Sequence, residues 1–255
     1  MLFRSDAELI RRCAEAEESD KLNPDRDPHA YVASLAFGTT YTKAFAKFVA
    51  DGRRKYYDKA KRKPTEAYKT LDALRTIAKR VVYGLNYGAG SRTVLESIYD
   101  GGYDGPPLSI QLIDRVTNVY FTAFEGVPTW RNAQLKLANE TQSVASPIVG
   151  RHRIFPLGDI DATVVYNYPI QSGAADIVST QLIKLHRELP YADPTAFLIA
   201  QVHDAVYAEC DAKRADAVAE CIESYMSVEL ALVEGAAKMP YPASAQIADN
   251  WRDAA

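Results

Sequence analysis

Two stretches of the sequence carry side chains suited to phosphate chemistry. In RTIAKRVVYGLNYGAG, residues 75–90, Arg75, Lys79, Tyr83 and Tyr87 recur at every fourth position. A step of four turns a helix by about 400°, so on a helix these side chains form one slowly drifting stripe. Ile77, Val81 and Leu85 form an apolar row about 200° away. Arg75 can fork onto phosphate oxygens, and Lys79, one turn later, supplies a second cation. Tyr83 and Tyr87 offer flat faces on which a sugar or base could rest. The glycine-containing tail is not a Walker A loop, because GxxxxGK[ST] is absent. Taken singly, each residue also fits a plain amphipathic helix with snorkelling Arg and Lys.

In QVHDAVYAEC the His203-Asp204 pair interrupts two apolar runs, which places a carboxylate at the rim of a sheet. An Asp there can hold a hard cation such as Mg²⁺, which takes oxygen ligands and keeps several waters. One carboxylate does not make a metal site, so a second is required. GRRKYYDKAKRKP, residues 52–64, interleaves cations with two tyrosines and fits a solvated helix face and a phosphate-contacting segment equally well.

The 255 residues suffice for one large domain or two modest ones. Hydrophobic residues at 47% and charged residues at 25% are ordinary globular values and exclude no class of function. The net charge is −3, so any nucleic-acid contact must rest on local patches. Cys13, Cys210 and Cys221 are scattered without a CxxC pair, which argues against a disulfide framework or structural zinc and fits a reducing cytoplasm. No apolar run approaches the roughly 18 residues of a membrane span, and the N-terminus lacks a signal-peptide pattern. A soluble protein acting without a membrane is expected.

The elements that must position these residues read as follows. Residues 6–19 have helical character, and DPHAYVASLAFG starts a helix behind Asp27 with Pro28 at its first position. SRTVLESIYDGG is a short helix ended by glycines, and 109–141 a long helical region interrupted near Gly126 and Pro128. SVASPIVGRHRIFP suggests a hairpin around Gly150. Helix is expected again from about Gln171 to Leu189, then two strands with His-Asp at or near their turn, then helix over 212–232. PASAQIADNW closes as a short strand and loop. Helices around a small, mostly antiparallel sheet define an α+β fold.

Together the stretches resemble the family A (DNA polymerase I type) DNA polymerases. R-x3-K-x3-Y-G-x2-Y-G, residues 75–88, resembles their motif B, the nucleotide-binding fingers helix. QVHDAVYAE resembles motif C, and NYPIQSGAAD, residues 167–176, the stretch before the long palm helix. GRHRIFP is similar to the family's glycine-arginine turn, DPHAYVASLAFG to the segment between motifs A and B, and DNWRDAA to the family's C-terminus. The order and approximate spacing agree from near residue 6 to residue 255.

The resemblance implies a polymerase palm with a helical fingers subdomain: 1–30 palm with the motif A region, 31–130 fingers including the motif B helix at 72–88, and 131–255 palm with the motif C hairpin. It implies that His29, Arg75 and Lys79 contact the triphosphate of an incoming dNTP, with Lys79 also counted as catalytic beside Asp6 and Asp204. Tyr83 would pack on the sugar, where Tyr is associated with acceptance of dideoxynucleotides, and Tyr87 would stack at the templating position. Arg151, Asn167 and Gln171 would touch template or primer, and His203 would sit beside the primer terminus. Asp204 would hold two Mg²⁺ ions with a second Asp from motif A. The implied reaction is attack of a primer 3′-hydroxyl on the α-phosphate, with pyrophosphate leaving.

Two departures from the family bear on this. Motif C usually reads His-Asp-Glu, and Ala205 stands in the third position. Motif A, normally Asp-x-Ser-x-x-Glu, has two registers. Either Asp6 is the metal-binding Asp and Arg11 replaces the sugar-discriminating Glu, or Glu8 is that Glu and Phe3 stands where the Asp should be. The Asp6 register is preferred, because two-metal catalysis needs a partner for Asp204. The chain also begins at motif A, so a thumb, the first palm strands and an exonuclease are expected to be absent. The expected partners are primer-template DNA, dNTPs and a separate polypeptide supplying thumb and N-terminal palm, with or without an exonuclease. A split gene of a phage or similar element fits this, in the cytoplasm of a bacterial or phage-infected cell. Two other readings are a non-catalytic nucleic-acid-binding remnant and a relative of single-subunit RNA polymerases.

Overall fold

The structure is a computed structural model that describes residues 22–50, 65–103, 105, 107–156, 158–231, 238–250 and 253. The helix expected over 6–19, both motif A registers with Asp6, Glu8 and Arg11, and the cation cluster at 52–64 lie outside the described residues. The chain divides into two compact units, Met1–Gln142 with Phe155–Asn167, and Ser143–Ile154 with Tyr168–Ala255.

The first unit is helical. Helix α1 (Pro28–Phe37) starts as expected behind Asp27, whose carboxylate accepts the Ala30 N–H at 2.7 Å. Helix α2 (Thr39–Ala50) buries Tyr41 and Phe48, and the Tyr41 hydroxyl donates to the Leu22 carbonyl at 2.8 Å. Helix α3 (Glu66–Asn86) is capped by Thr65 and packs against α1, α2, α4 (Ser91–Asp100) and α5 (Ile110–Ala123). The break expected near Gly126 falls at Phe124 and Glu125, after which α6 runs Gly126–Thr141.

The row Ile77, Val81, Leu85 is buried, at roughly 1.5–3 kcal/mol per fully buried side chain. Gly84 lies between α3 and α4 with no room for a side chain. A Cβ built there stands 2.6 Å from Val94 Cγ2. The Arg80 guanidinium ties the same two helices by donating to the carbonyls of Ile98 at 2.6 Å and Gly101 at 3.0 Å, at the C-terminal end of α4.

The second unit contains three two-stranded antiparallel sheets. Strands β1 (Ser143–Ala145) and β2 (His152–Ile154) form the hairpin expected around Gly150. Strands β3 (Phe197–Val202) and β4 (Ala205–Glu209) pair with Val202 opposite Ala205, so His203-Asp204 is the two-residue turn itself. One side of this hairpin, through Leu198, Val206 and Ala208, packs on Leu185 and Leu189 of α7 (Ala162–Ala192) and on Val218 of α8 (Ala215–Met226). The buried Asp193 carboxylate accepts the Thr195 and Asp211 N–H groups at 2.9 and 3.1 Å, which joins the entry of β3 to the exit of β4.

Three expectations are corrected. Helix α7 begins at Ala162 rather than near Gln171 and passes through Pro169. The ring removes one hydrogen bond, but Asp161 supports the first turn by accepting the Thr163 N–H at 2.8 Å. The helix expected to reach 232 stops at Met226. Ser227 turns the chain, its hydroxyl accepting the Ala243 N–H at 2.9 Å, and β5 (Val228–Leu230) pairs with β6 (Met239–Tyr241). That pairing takes the place of the strand expected in PASAQIADNW, whose described residues 242–250 have no strand. The α+β class stands, as helices with small antiparallel sheets. Among the described residues no helix is long and apolar enough to cross a membrane.

The contact at Gly84 gives a direct test. Gly84→Ala must push α4 away from α3 and is expected to lower stability by about 1–3 kcal/mol in urea unfolding.

Candidate functional site

Four of the residues singled out in the sequence come together in the first unit. Ile77, Val81 and Leu85 face the core, and along the stripe Arg75, one turn after the buried Leu71, is largely covered, whereas Tyr83 reaches the surface. The Tyr83 ring is 48% exposed, and Lys79 Nζ lies 5.4 Å from its centroid. The His29 ring, from the first turn of α1, meets Tyr83 edge-on with centroids 5.3 Å apart and planes at 80°. Tyr87 is the C-cap of α3 rather than part of its regular turns, and is partly exposed.

Arg75 is held by a residue that sequence reading treated only as a helix cap. Its Nε donates to Asp27 Oδ1 at 3.0 Å and its Nη2 to Asp27 Oδ2 at 2.6 Å. Their side chains are 14% and 11% exposed. Burial works against the Arg75 charge, but the hydrogen bonds and charge of Asp27, with the lesser influence of Asp72 and Tyr41, outweigh it and raise the guanidinium pKa. His29 goes the other way. Burial, with Arg75 and Lys79 nearby and Asp27 only partly opposing, lowers its pKa to about 4, so the ring is neutral at pH 7. Its Nδ1 is buried with no hydrogen-bond partner among the described residues.

The end of α3 is held from the other side. Arg131 of α6 donates to the Leu85 carbonyl at 3.3 Å and lies over the Tyr166 ring at 4.2 Å. Tyr166 lies against Gly88, where a Cβ would come within 3.2 Å of the ring and where φ is +84°, a conformation suited to glycine. Asn86 accepts the Tyr120 hydroxyl at 2.7 Å, and burial raises that phenol's pKa to about 12. The backbone on both sides of Tyr87 is thereby fixed.

Arg151, Gln171, His203 and Asp204 belong to the second unit, and Asn167 is the last residue of the first. Arg151, exposed at the hairpin, donates through Nη2 to the buried Asp176, which also accepts the Ser146 hydroxyl. Burial works against the Asp176 charge, yet the hydrogen bonds from Ser146 and Arg151 hold its pKa below the usual carboxylate value. Gln171 is exposed on α7, one turn beyond Asn167, whose Oδ1 is buried without a hydrogen-bond partner among the described residues. His203 and Asp204 are exposed at the tip of the β3–β4 hairpin. His203 has φ +54°, a left-handed value that glycine usually supplies. The Gln201 amide donates to the His203 carbonyl at 3.1 Å.

Asp204 is a hard oxygen donor of the kind Mg²⁺ takes. Among the described residues no cluster of three or more His, Cys, Asp or Glu forms a metal site, and Asp6 lies outside them. Sequence reading missed Asp27 and Asp176 as the partners of Arg75 and Arg151, since each lies 25 or more positions from its arginine. The only signal available was an Asp inside each quoted stretch, DPHAYVASLAFG and NYPIQSGAAD.

The fold is shared with a known polymerase domain. The POL domain of Pol1 from M. smegmatis, solved in complex with DNA primer-template and dNTP, superposes over 88% of this chain and 35% of its own, with a TM-score of 0.58 and 20% identity. A sequence model of DNA polymerase family A matches residues 31–253. The chain belongs to DNA polymerase family A. It is similar to DNA polymerase I of Helicobacter pylori, 27% identical over 188 residues, covering 70% of this chain and 19% of that protein. It is also similar to DNA polymerase theta of Caenorhabditis elegans, 25% identical with 70% and 11% covered, and to the thermostable DNA polymerase I of Thermus aquaticus, 25% identical with 75% and 22% covered. The chain therefore spans about a fifth or less of the length of these relatives.

The neutral His29 has a measurable consequence. The unfolded ring binds a proton near pH 6.5 and the folded ring only near 4, so this residue's contribution to stability is full above 6.5 and is lost as pH falls from 6.5 to 4. The full shift corresponds to at most about 3 kcal/mol. His29→Gln is expected to flatten the stability profile across that window in urea unfolding, and NMR titration of the His29 ring is expected to give a midpoint near 4.

Proposed function

We propose that this chain carries the palm and fingers of a DNA-directed DNA polymerase, with palm in 1–30 and 131–255 and fingers in 31–130. The observation that supports this most directly is the meeting of His29, Arg75, Lys79 and Tyr83 on one face of α3, opposite its buried row. In this reading Arg75 and Lys79 neutralise the triphosphate of a dNTP, and neutral His29 serves as a hydrogen-bond donor to it. The exposed Tyr83 ring supports the sugar, and Tyr87 stacks at the templating position. Arg151, Asn167 and Gln171 hold template or primer, with Asp176 fixing the Arg151 side chain. His203 sits beside the primer terminus. Asp204, with Asp6 as its partner, is the proposed holder of two Mg²⁺ ions, which when bound would activate the primer hydroxyl and stabilise the leaving pyrophosphate. The duplex grip is proposed to come from a thumb outside these 255 residues, on a separate polypeptide in the split arrangement.

A non-catalytic nucleic-acid-binding role is a second reading, and Ala205 in place of the motif C Glu favours it. Primer extension by the purified chain on a primer-template with dNTPs and Mg²⁺, alone and with a thumb-bearing polypeptide added, separates the two. The expected outcome is template-dependent dNTP incorporation, preferred over rNTP incorporation, that falls roughly a hundredfold or more in Asp204→Asn. DNA binding indifferent to Mg²⁺ and to Asp204→Asn, with no incorporation in either condition, would sink the catalytic reading.

A further inference from the structure

We propose that Asp27 is a positioning residue for triphosphate binding: its buried carboxylate holds the Arg75 fork by one edge, leaves to an oxyanion the other edge, which has no hydrogen-bond partner among the described residues, and ties that fork to the turn carrying His29. The proposal rests on the reading of Arg75 as a phosphate contact.

Asp27 engages Arg75 through Nε and Nη2, at 3.0 and 2.6 Å. A guanidinium has five N–H donors in a fixed plane, so pairing along the Nε–Nη2 edge leaves both hydrogens of Nη1 and one of Nη2 directed away from the carboxylate. Those remaining donors form an edge that matches a second oxyanion, such as a phosphate, in a bidentate arrangement. A free arginine would have to order its long side chain at the moment of binding. Arg75, with its side chain 14% exposed against a partner 11% exposed, is already ordered.

The same carboxylate also sets the second phosphate-facing group. Asp27 Oδ1 accepts the Ala30 N–H at 2.7 Å, which fixes the first turn of α1, where His29 is the second helical residue. From there the His29 ring reaches Tyr83 on α3, two turns beyond Arg75. Asp27 and His29 therefore join α1 to α3 at two points, and one carboxylate governs the relative placement of the arginine and the histidine.

The sign of the electrostatics makes this testable. A carboxylate beside an anion site repels the anion, so removing its charge should by itself tighten binding. Weaker binding after that removal reports lost positioning. Asp27→Asn keeps an oxygen for the Ala30 N–H and remains a good N-cap, so α1 keeps its start. Arg75→Gln keeps a donor toward Asp27 and removes the fork.

The experiment is calorimetric titration of the full chain with inorganic tripolyphosphate, for the unsubstituted protein, both single variants and the double variant, with thermal melts confirming that each is folded. Asp27→Asn is expected to weaken binding about tenfold, and Arg75→Gln at least as much, while the double variant binds no worse than Arg75→Gln alone. Asp27→Glu, which keeps the charge but displaces it by one methylene, is expected to weaken binding as well and serves if the Asn variant melts below the assay temperature. If Arg75→Gln leaves the affinity unchanged, the phosphate reading of Arg75 fails, and this proposal with it. If Arg75→Gln weakens binding but Asp27→Asn leaves it unchanged or tighter, the positioning role alone is overturned. The same holds if Asp27→Asn weakens binding equally in the Arg75→Gln background.

Discussion

In the first unit a carboxylate and a guanidinium buried together tie the start of α1 to α3. Asp27 and Arg75 lie 48 positions apart and meet in a two-point hydrogen-bonded pair that water barely reaches. Such pairs are poor sources of net stability, because the cost of removing both charges from water offsets most of their attraction. Losing one partner is another matter, since the survivor is then a buried, unpaired charge and the penalty is about 3–5 kcal/mol. The pair therefore fixes an arrangement more than it strengthens one. The arrangement it fixes is the start of α1 against the middle of α3, the two places from which His29, Lys79 and Tyr83 project.

The rest of α3 follows from that constraint and from its own apolar row. Ile77, Val81 and Leu85 set the rotation of the helix about its axis, and any large rotation would expose them while burying Lys79. Gly84 sets how closely α4 approaches, and Arg80 fixes where along α3 the end of α4 sits. Arg131 and Tyr166 then hold the C-terminal end around Gly88. Rotation, separation, axial position and termination are each set by different residues, and Tyr83 is left exposed while Arg75 stays covered beside Asp27. The second unit uses the same device in smaller form. Asp176 is buried and accepts hydrogen bonds from Ser146 and from Arg151, so an exposed cation is held by a buried anion.

What could be read from the sequence was whatever depends on short range. The periodicity of α3, the Asp27 cap, the break between α5 and α6, and the His203-Asp204 turn all follow from residues within about one or two helical turns or a hairpin. The start of α7 was not legible, because Pro169 and the polar NYPIQSG stretch argue locally against helix while Asp161 and the continuing chain support it. The end of α8 was hidden for a similar reason, since Val228–Leu230 have no helix-breaking signal and are drawn into a strand by Met239–Tyr241. The anchors Asp27 and Asp176 are tertiary contacts, and a lone Asp has no periodicity that could announce them. Residue types suited to phosphate were therefore legible, whereas the groups that hold them in place were not.

The charges at the α3 site bear on what it can bind. With His29 neutral, Arg75 and Lys79 contribute two positive charges, which Asp27, paired with Arg75, and Asp72, whose charge also acts on Arg75, largely offset. A nucleoside triphosphate carries several negative charges, so this face alone undercompensates it. A site built only to hold a bare polyphosphate would be expected to gain from a protonated histidine and from an arginine without a carboxylate partner. The opposite choices here, a desolvated neutral His29 and an arginine shared with Asp27, favour geometry over total charge.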